Sequence, residues 1–246
     1  MNTDDIFQKP APAGGFVFDA AVVDVFDDML LRSVPFYAEQ QRMVVELART
    51  FWIPGTRVYD LGCSTATTLV NIARALDPSA RLVGYDNSKP MLDRAAESVA
   101  KQGLGDRIEL RYGDLNGDVD AIPLDGASVV TLCWTLQFLR PLRRDRFVRA
   151  IHDSLATQGA LIVTEKILTQ DSSMNRFFID FYYDFKRRNH YSDMEISRKR
   201  EALENVLVPY RMDENCELFR RSGFKIVEPF FQWYNFAAYL CVKSAE

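Results

Sequence analysis

Cysteine and histidine are scarce in this chain of 246 residues. Its four cysteines form no CxxC pair, and its two histidines, His152 and His190, have no partner at metal-ligand spacing. A disulfide framework needs paired cysteines in an oxidising compartment, and a structural zinc site needs clustered cysteine or histidine ligands. We therefore expect neither a disulfide framework nor a metal site, and the expected compartment is a reducing cytoplasm.

Long apolar runs and an excess of basic residues are also missing. No segment approaches the ~20 apolar residues that span a bilayer. The first 15 residues, rich in Ala, Pro and Gly, lack the basic start and apolar stretch of a signal peptide. A net charge of −4 and a pI near 5.4 give no global attraction to a phosphate backbone. We expect no membrane association, no direct nucleic-acid partner, and a flexible lead-in over residues 1–15.

A regular alternation of strands and helices fills residues 57–165. Short β-branched and apolar runs predict five strands, namely Arg57–Leu61, Arg81–Tyr85, Arg107–Arg111, Ala127–Cys133 and Ala160–Glu165. Helical patterns between them predict an α/β fold, with a parallel sheet covered by helices on both faces. Two later runs, Lys225–Pro229 and Trp233–Val242, predict an antiparallel hairpin at the edge of this sheet.

Helical segments flank the alternation on both sides. Residues 16–53 predict an N-terminal helical lid, in which Ser33 is the N-cap and Pro35 the first turn of a helix towards Phe51. Residues 167–215 predict a helical insertion ahead of the C-terminal hairpin. Because the length suits one large α/β domain, we expect residues 16–246 to form a single domain.

Three predicted strands end in an aspartate followed by small or polar residues. These ends are Asp60–Gly62, Asp86 and Asp114. Open α/β sheets bind ligands just outside the carboxyl ends of their strands. Three carboxylates there suit a ligand with hydroxyl and amino groups, such as a nucleoside. The alternative is that each aspartate only caps the helix that follows it.

The glycine-rich motifs of nucleotide-binding loops are absent. The loop after the first strand offers only Gly62 where GxGxxG is required, and no GxxxxGK[ST] occurs. A ligand without phosphates fits this loop better. The positions of these acids at successive strand ends resemble those in the seven-stranded class I S-adenosylmethionine-dependent methyltransferase-like (Rossmann-like) fold. In that fold, the acid that ends the second strand binds ribose.

Arg200 stands where an apolar residue is expected. A capping box at Ser192 starts a helix that aligns Ile196, Leu203 and Leu207, with Arg200 at the margin of that face. Burial of an arginine charge without a partner costs several kcal/mol of free energy, so an anionic partner is required. Glu204, four residues further on, is one candidate. A small-molecule carboxylate bound by a bidentate guanidinium is the other.

Several motifs are similar to those of the carboxy-S-adenosyl-L-methionine synthase family. They are FVFD (16–19), FDDMLLRSVPFY (26–37), VYDLGCS (58–64), DNS (86–88), TLQFL (135–139), DFKRRNHYSDMEISRKREALENVL (184–207) and FFQWYNF (230–236). This resemblance covers nearly the whole chain. It implies an enzyme that converts S-adenosyl-L-methionine and prephenate into carboxy-S-adenosyl-L-methionine and phenylpyruvate. A companion enzyme then carboxymethylates a wobble uridine of tRNA.

The resemblance also implies roles for individual residues. Arg200, the candidate catalytic residue, would pair with the new carboxylate. The implied binding set is Tyr37, Gly62, Cys63, Ser64, Asp86, Asn87, Asp114, Leu115, Cys133 and Arg200. Two positions depart from the family pattern, since Cys133 replaces an asparagine and Ala66 a glycine. A thiol forms weaker hydrogen bonds than an amide, so Cys133 is expected to contact the ligand weakly.

Two other readings stay open. A methyltransferase acting on a small acidic metabolite would use Arg200 to bind its acceptor. An RNA-binding module would use the basic stretch around Lys186–Arg188 and Arg198–Arg200, although such stretches are more often solvated helix faces. The aromatic segment Phe177–Tyr183 predicts a homodimer interface, because aromatic residues concentrate at interfaces.

Overall fold

A mixed sheet organises the chain, of which a computed structural model describes residues 4–8 and 18–245. Its strands are β1 Arg57–Leu61, β2 Arg81–Asp86, β3 Ile108–Tyr112, β4 Ala127–Cys133, β5 Leu155–Leu168, β6 Tyr210–Arg211, β7 Ile226–Trp233 and β8 Phe236–Val242. The order is β3-β2-β1-β4-β5-β8-β7, with β6 paired to β5. β8 runs antiparallel to β5 and β7, whereas the other pairs are parallel. The predicted α/β sheet with a C-terminal antiparallel hairpin is confirmed.

Helices cover both faces of this sheet. They are α1 Ala20–Ser33, α2 Tyr37–Phe51, α3 Thr67–Ala75, α4 Lys89–Lys101, α5 Pro141–Ser154, α6 Ser172–Arg188, α7 Asp193–Leu203 and α8 Met212–Arg221. Val58 and Val129 belong to an apolar core with residues of α2, α3 and α4. Tyr59 and Leu132 belong to a second core with residues of α5 and α8. Burial on both faces explains why the strands read as continuous apolar runs.

The N-terminal helices meet at a sharp break, and the predicted cap is wrong. Ser33 is the last residue of α1 and donates its hydroxyl to the Met29 carbonyl. Pro35 favours an extended conformation in the residue before it, and Val34 is extended, so α1 ends here. α2 then begins at Tyr37, after Phe36 has adopted a left-handed conformation with φ of 53°.

Residues 4–8 differ from the flexible lead-in expected at the N-terminus. Ile6–Gln8 form a 3-10 turn, and the side chains of Asp4 and Phe7 are 1% and 3% exposed. Arg198 donates to the backbone carbonyls of Phe7 and Gln8. The amino-acid composition of this segment gives no sign of these contacts, which are made with α1 and α7. The rest of the predicted lead-in lies outside the described residues.

The segment before the hairpin is helical for only part of its predicted length. β5 continues to Leu168, α6 and α7 follow, and β6 pairs with the end of β5. We call residues 169–211 the insertion. Within the described ranges, no helix is both long and apolar enough to cross a membrane.

Candidate active site

A cavity of about 730 Å³ lies at the carboxyl edge of the sheet. The turns after β1, β2, β3 and β4 form one part of its wall. Side chains from α1, including Phe26 and Met29, form a second part, and the insertion supplies Tyr182 and Leu203. Both the volume and the location are typical of small-molecule sites in open α/β sheets.

The three predicted acidic strand ends meet in this cavity. Asp60 lies in β1, Asp86 ends β2, and Asp114 follows β3. The capping alternative is wrong for Asp86, because Ser88 is the N-cap of α4. The two carboxylate oxygens of Asp86 accept the amide N–H groups of Ser64 at 2.9 Å and Ser88 at 2.8 Å. Each oxygen retains acceptor capacity for a ligand hydroxyl.

Asp60 is the most deeply buried of these acids, with 2% of its surface exposed. The Thr131 hydroxyl donates to its Oδ1 at 2.6 Å. Burial raises the pKa of Asp60 to about 7, the nearby Asp86 charge acts in the same direction, and the Thr131 hydrogen bond opposes both. A cationic group of a ligand placed beside Asp60 would favour its ionised form.

The turn after β1 brings backbone close to the cavity. Gly62 has a φ of +81°, and a Cβ on it would lie 2.5 Å from the Thr135 hydroxyl. The amides of Gly62 and Cys63 both donate to the Tyr85 carbonyl, at 2.8 and 2.9 Å. Glycine is therefore required here on two grounds, conformation and space. Cys63 and Ser64 complete the turn and line the cavity.

The other predicted nucleoside contacts lie beside this turn. Tyr37 is the first residue of α2, and its ring centroid is 5.4 Å from that of Trp134. Asn87 donates its side-chain amide to Asp114 at 3.4 Å. Leu115 packs half-buried against the apolar core. The structure thus brings the whole predicted binding set to one cavity, and the individual ligand contacts stay predictions.

Arg200 also lines the cavity, from the last turn of α7. Its side chain is exposed, and within the described ranges it makes no ion pair. Glu204 is the C-cap beyond the helix, so the pair four residues apart does not lie on one helical face. The predicted apolar stripe is partly wrong, because α7 ends before Leu207 and buries Lys199 beside Ile196.

The two departures from the family pattern have different surroundings. Burial raises the pKa of the Cys133 thiol, and the Asp60 charge contributes, so a nucleophilic thiolate is not favoured. Ala66 lies just before α3 rather than inside it. It is the N-cap of that helix, with a left-handed φ of 65° that favours glycine.

Three lysines in the cavity wall were not assigned to the site from sequence. They are Lys166 in β5, Lys186 in α6 and Lys199 in α7. Lys186 and Lys199, once counted in a possible RNA-binding stretch, are only 5% and 6% exposed. Arg187, the exposed neighbour, pairs with two aspartates. The available signal was the position of Lys186 four residues after Tyr182, on the buried face of an aromatic helix.

Comparison with known proteins identifies the family. Residues 58–159 match the methyltransferase domain family. The carboxy-S-adenosyl-L-methionine synthase of Methylococcus capsulatus is 49% identical over 245 residues, covering 99% of this chain and 100% of that protein. The synthase of Nitratiruptor sp. is 40% identical over 243 residues, covering 99% of each. The chain belongs to the carboxy-S-adenosyl-L-methionine synthase family. The resemblance inferred from the sequence motifs is confirmed.

Solved structures share the fold at low sequence identity. An O-methyltransferase family protein from Burkholderia thailandensis has a TM-score of 0.67 and 19% identity, covering 93% of this chain and 61% of that one. The [4+2]-cyclase SpnF has a TM-score of 0.59 and 17% identity, covering 85% and 82%. The predicted methyltransferase-like fold is confirmed.

The buried Asp60 carboxyl predicts a pH-dependent stability. Its pKa is raised in the folded state, so its stabilising contribution is present below the unfolded-state value near 4 and is lost as pH rises to about 7. Asn at position 60 carries no charge, so we expect the Tm of Asp60→Asn to rise relative to that of the unmodified protein as pH increases from 4.5 to 7. This Tm difference should grow by ~5 °C or more and then level off. Thermal melts of the ligand-free proteins measure this, with the exposed Asp106→Asn as background. A constant offset across this range would contradict it.

Cys133 offers a test of the weak-contact prediction. Cys133→Ala should bind S-adenosylmethionine within about twofold of the unmodified protein, because the thiol is a poor hydrogen-bonding group. Cys133→Asn should bind about three- to tenfold more tightly, since one net hydrogen bond contributes ~0.5–1.5 kcal/mol. Isothermal titration calorimetry measures the S-adenosylmethionine affinity of each variant. A loss above tenfold in the alanine variant would mean that the thiol itself contacts the ligand.

Proposed function

We propose that the chain converts S-adenosyl-L-methionine and prephenate into carboxy-S-adenosyl-L-methionine and phenylpyruvate. The observation that carries the proposal is Arg200, a cation that faces the same cavity as the strand-end acids and has no ion-pair partner in the described ranges. A methyl transfer creates no carboxylate on the nucleoside, whereas the proposed product carries one. Similarity over the full chain to carboxy-S-adenosyl-L-methionine synthases supports the same activity.

The strand-end acids account for recognition of the nucleoside. We assign the ribose hydroxyls to Asp86 and the adenine edge to Asn87 and Asp114, whose side chains already contact one another. Each hydrogen bond to a charged acceptor contributes ~1.5–3 kcal/mol. The turn from Gly62 to Ser64 would lie beneath the methionine portion, and Tyr37 beside it. Leu115 would contact the adenine through its backbone.

The reaction balances without an external oxidant or reductant. A proton leaves the sulfonium methyl, a carbon–carbon bond forms to the carbon dioxide released by prephenate, and the hydroxyl group of prephenate leaves with that proton as water. Arg200 would hold the new carboxylate in a bidentate fork, which a lysine matches poorly. Aromatic rings of Phe18, Phe26 and Phe138, 5.6 to 6.1 Å apart, line the cavity and limit water around the reacting carbon.

Arg200→Ala tests the proposal directly. We expect it to lower affinity for the carboxylated product by about tenfold or more, because charge-assisted hydrogen bonds to the carboxylate are lost, and to change S-adenosylmethionine affinity less than threefold. Titration calorimetry gives both affinities, and mass spectrometry of the product gives the activity. Arg188→Ala removes an exposed arginine from α6 and is the matched control. Equal losses for the two ligands would make Arg200 structural.

The same assay separates the synthase from an ordinary methyltransferase. The unmodified protein incubated with S-adenosylmethionine and prephenate should yield a nucleoside heavier by one carbon dioxide. Formation of S-adenosylhomocysteine without that species would support methyl transfer to an acidic acceptor. The carboxylated product is expected to serve a companion tRNA-modifying enzyme, which would place the reaction in the cytoplasm.

A homodimer is the second part of the proposal. On α6, Met174, Phe177 and Phe181 are 45%, 52% and 42% exposed on one helical face. Tyr234, from the β7–β8 turn, lies beside them, with its ring 5.1 Å from that of Phe181. A contiguous apolar patch of this kind is typical of protein interfaces.

Phe177→Glu should disrupt the proposed dimer. A charge buried against an apolar partner surface is unfavourable, so we expect the dimer mass of the unmodified protein to become that of a monomer. Size-exclusion chromatography with light scattering measures this. Leu142→Glu is the control, because Leu142 is 99% exposed on α5, outside the patch. A monomeric mass for the unmodified protein at micromolar concentration would exclude the dimer.

A further inference from the structure

Three lysine ammonium groups converge on the part of the cavity formed by β5 and the insertion. The ammonium groups of Lys166 and Lys186 lie 4.8 and 4.6 Å from the centroid of the Tyr182 ring. Tyr182 is fixed by donating its hydroxyl to the Ser33 carbonyl at 2.9 Å. Lys199 donates to the hydroxyl of the same serine at 3.3 Å. Lys166, Lys186 and Lys199, which we call the lysine cluster, thus share one small volume.

The acidic side chains near the lysine cluster are too few to neutralise its three positive charges. Asp4 lies 3.7 Å from Lys199, and its carboxylate also accepts the Tyr191 hydroxyl. Lys166 and Lys186 make no ion pair in the part of the chain that the structure describes. Burial lowers the pKa of Lys186, and the charges of the other two lysines lower it further. Repulsion between buried cations is tolerated where an anionic ligand supplies the missing charge.

We propose that the lysine cluster binds the carboxylates of the dianionic carboxyl donor. This inference rests on the proposed function and goes beyond it, because it divides the cavity into two subsites. The strand-end acids suit the sulfonium nucleoside, and the lysine cluster suits a substrate with two negative charges. Lysine ammonium groups act as point charges, which fits carboxylates in more than one orientation. Arg200 follows Lys199 directly in α7, so it lies next to the cluster along the chain.

The change in substrate charge during the reaction also affects release of the product from the lysine cluster. The donor brings two carboxylates, one is lost as carbon dioxide, and the remaining ketoacid carries a single negative charge. The new carboxylate belongs to the nucleoside product and faces Arg200. The ketoacid product is therefore held less tightly than the donor, which favours its release.

The test compares Lys166→Met and Lys186→Met with Lys101→Met, which removes an exposed lysine at the end of α4. Each cluster variant should raise the KM for prephenate tenfold or more, with a smaller change in kcat. Affinity for S-adenosylmethionine should stay within twofold. In calorimetry with S-adenosylhomocysteine present, the unmodified protein should bind prephenate at least tenfold more tightly than phenylpyruvate, and the cluster variants should lose this preference. Donor KM and prephenate affinity equal to those of Lys101→Met would overturn the inference.

Two further measurements keep the inference separate from the proposed activity and from misfolding. Calorimetric binding needs no turnover, so a protein that binds the dianion through the lysine cluster but forms no carboxylated nucleoside would refute the activity and retain the subsite. Reductive methylation of the unmodified protein needs no variant. Prephenate should protect Lys166, the most exposed lysine of the cluster, but not Lys101, and equal protection of these two lysines would exclude the subsite.

Discussion

Burial of like charges constrains this cavity more than any other interaction. Ionisable groups of each type, acidic and basic, are buried on separate parts of the chain. Asp60 and Asp86 lie at the edge of the sheet, whereas Lys186 and Lys199 come from the insertion. Within the described ranges, no ion pair joins these acids to these lysines. Because direct pairing would neutralise the charges that a ligand needs, the separation leaves both groups available. The raised pKa of Asp60 and the lowered pKa of Lys199, about 8, follow from burial.

The two charged regions are held in place by different means. At the sheet edge, Asp86 at the end of β2 accepts the amide of Ser64 in the β1 turn and that of Ser88 before α4, and the Thr131 hydroxyl in β4 donates to Asp60. The insertion is fastened to α1 instead. Arg32 donates to the carbonyls of Asn189 and His190, and its guanidinium lies over the Tyr191 ring at 4.1 Å. The N-terminal helices are therefore coupled to the insertion, and displacement of one would disturb the lysines of the other.

Much of the fold and part of the site followed from the sequence, because both rest on local patterns. Strands buried on two faces read as apolar runs, and their carboxyl ends meet at one edge, so Asp86 was placed correctly without knowledge of long-range contacts. The lysine positions were not predictable in this way. Lys186 resembles a surface residue in a basic stretch, and only its packing against Tyr182 shows otherwise. Phe7 was missed for the same reason, since its burial depends on residues almost 200 positions away.

The fold itself does not select the chemistry. An O-methyltransferase family protein and a [4+2]-cyclase have the same architecture at 17–19% identity. The sheet edge is common to these proteins, so the reaction is determined by the residues that complete the rest of the cavity wall. Here β5 supplies Lys166, and the insertion supplies Arg200, Lys186 and Lys199, so positive charge is added beside the strand-end acids. Such a region lowers the stability of the ligand-free protein, because burial disfavours the charged form of the lysines. In the proposed reaction, anions that enter the cavity offset this cost, because the donor is a dianion and the nucleoside product carries a new carboxylate.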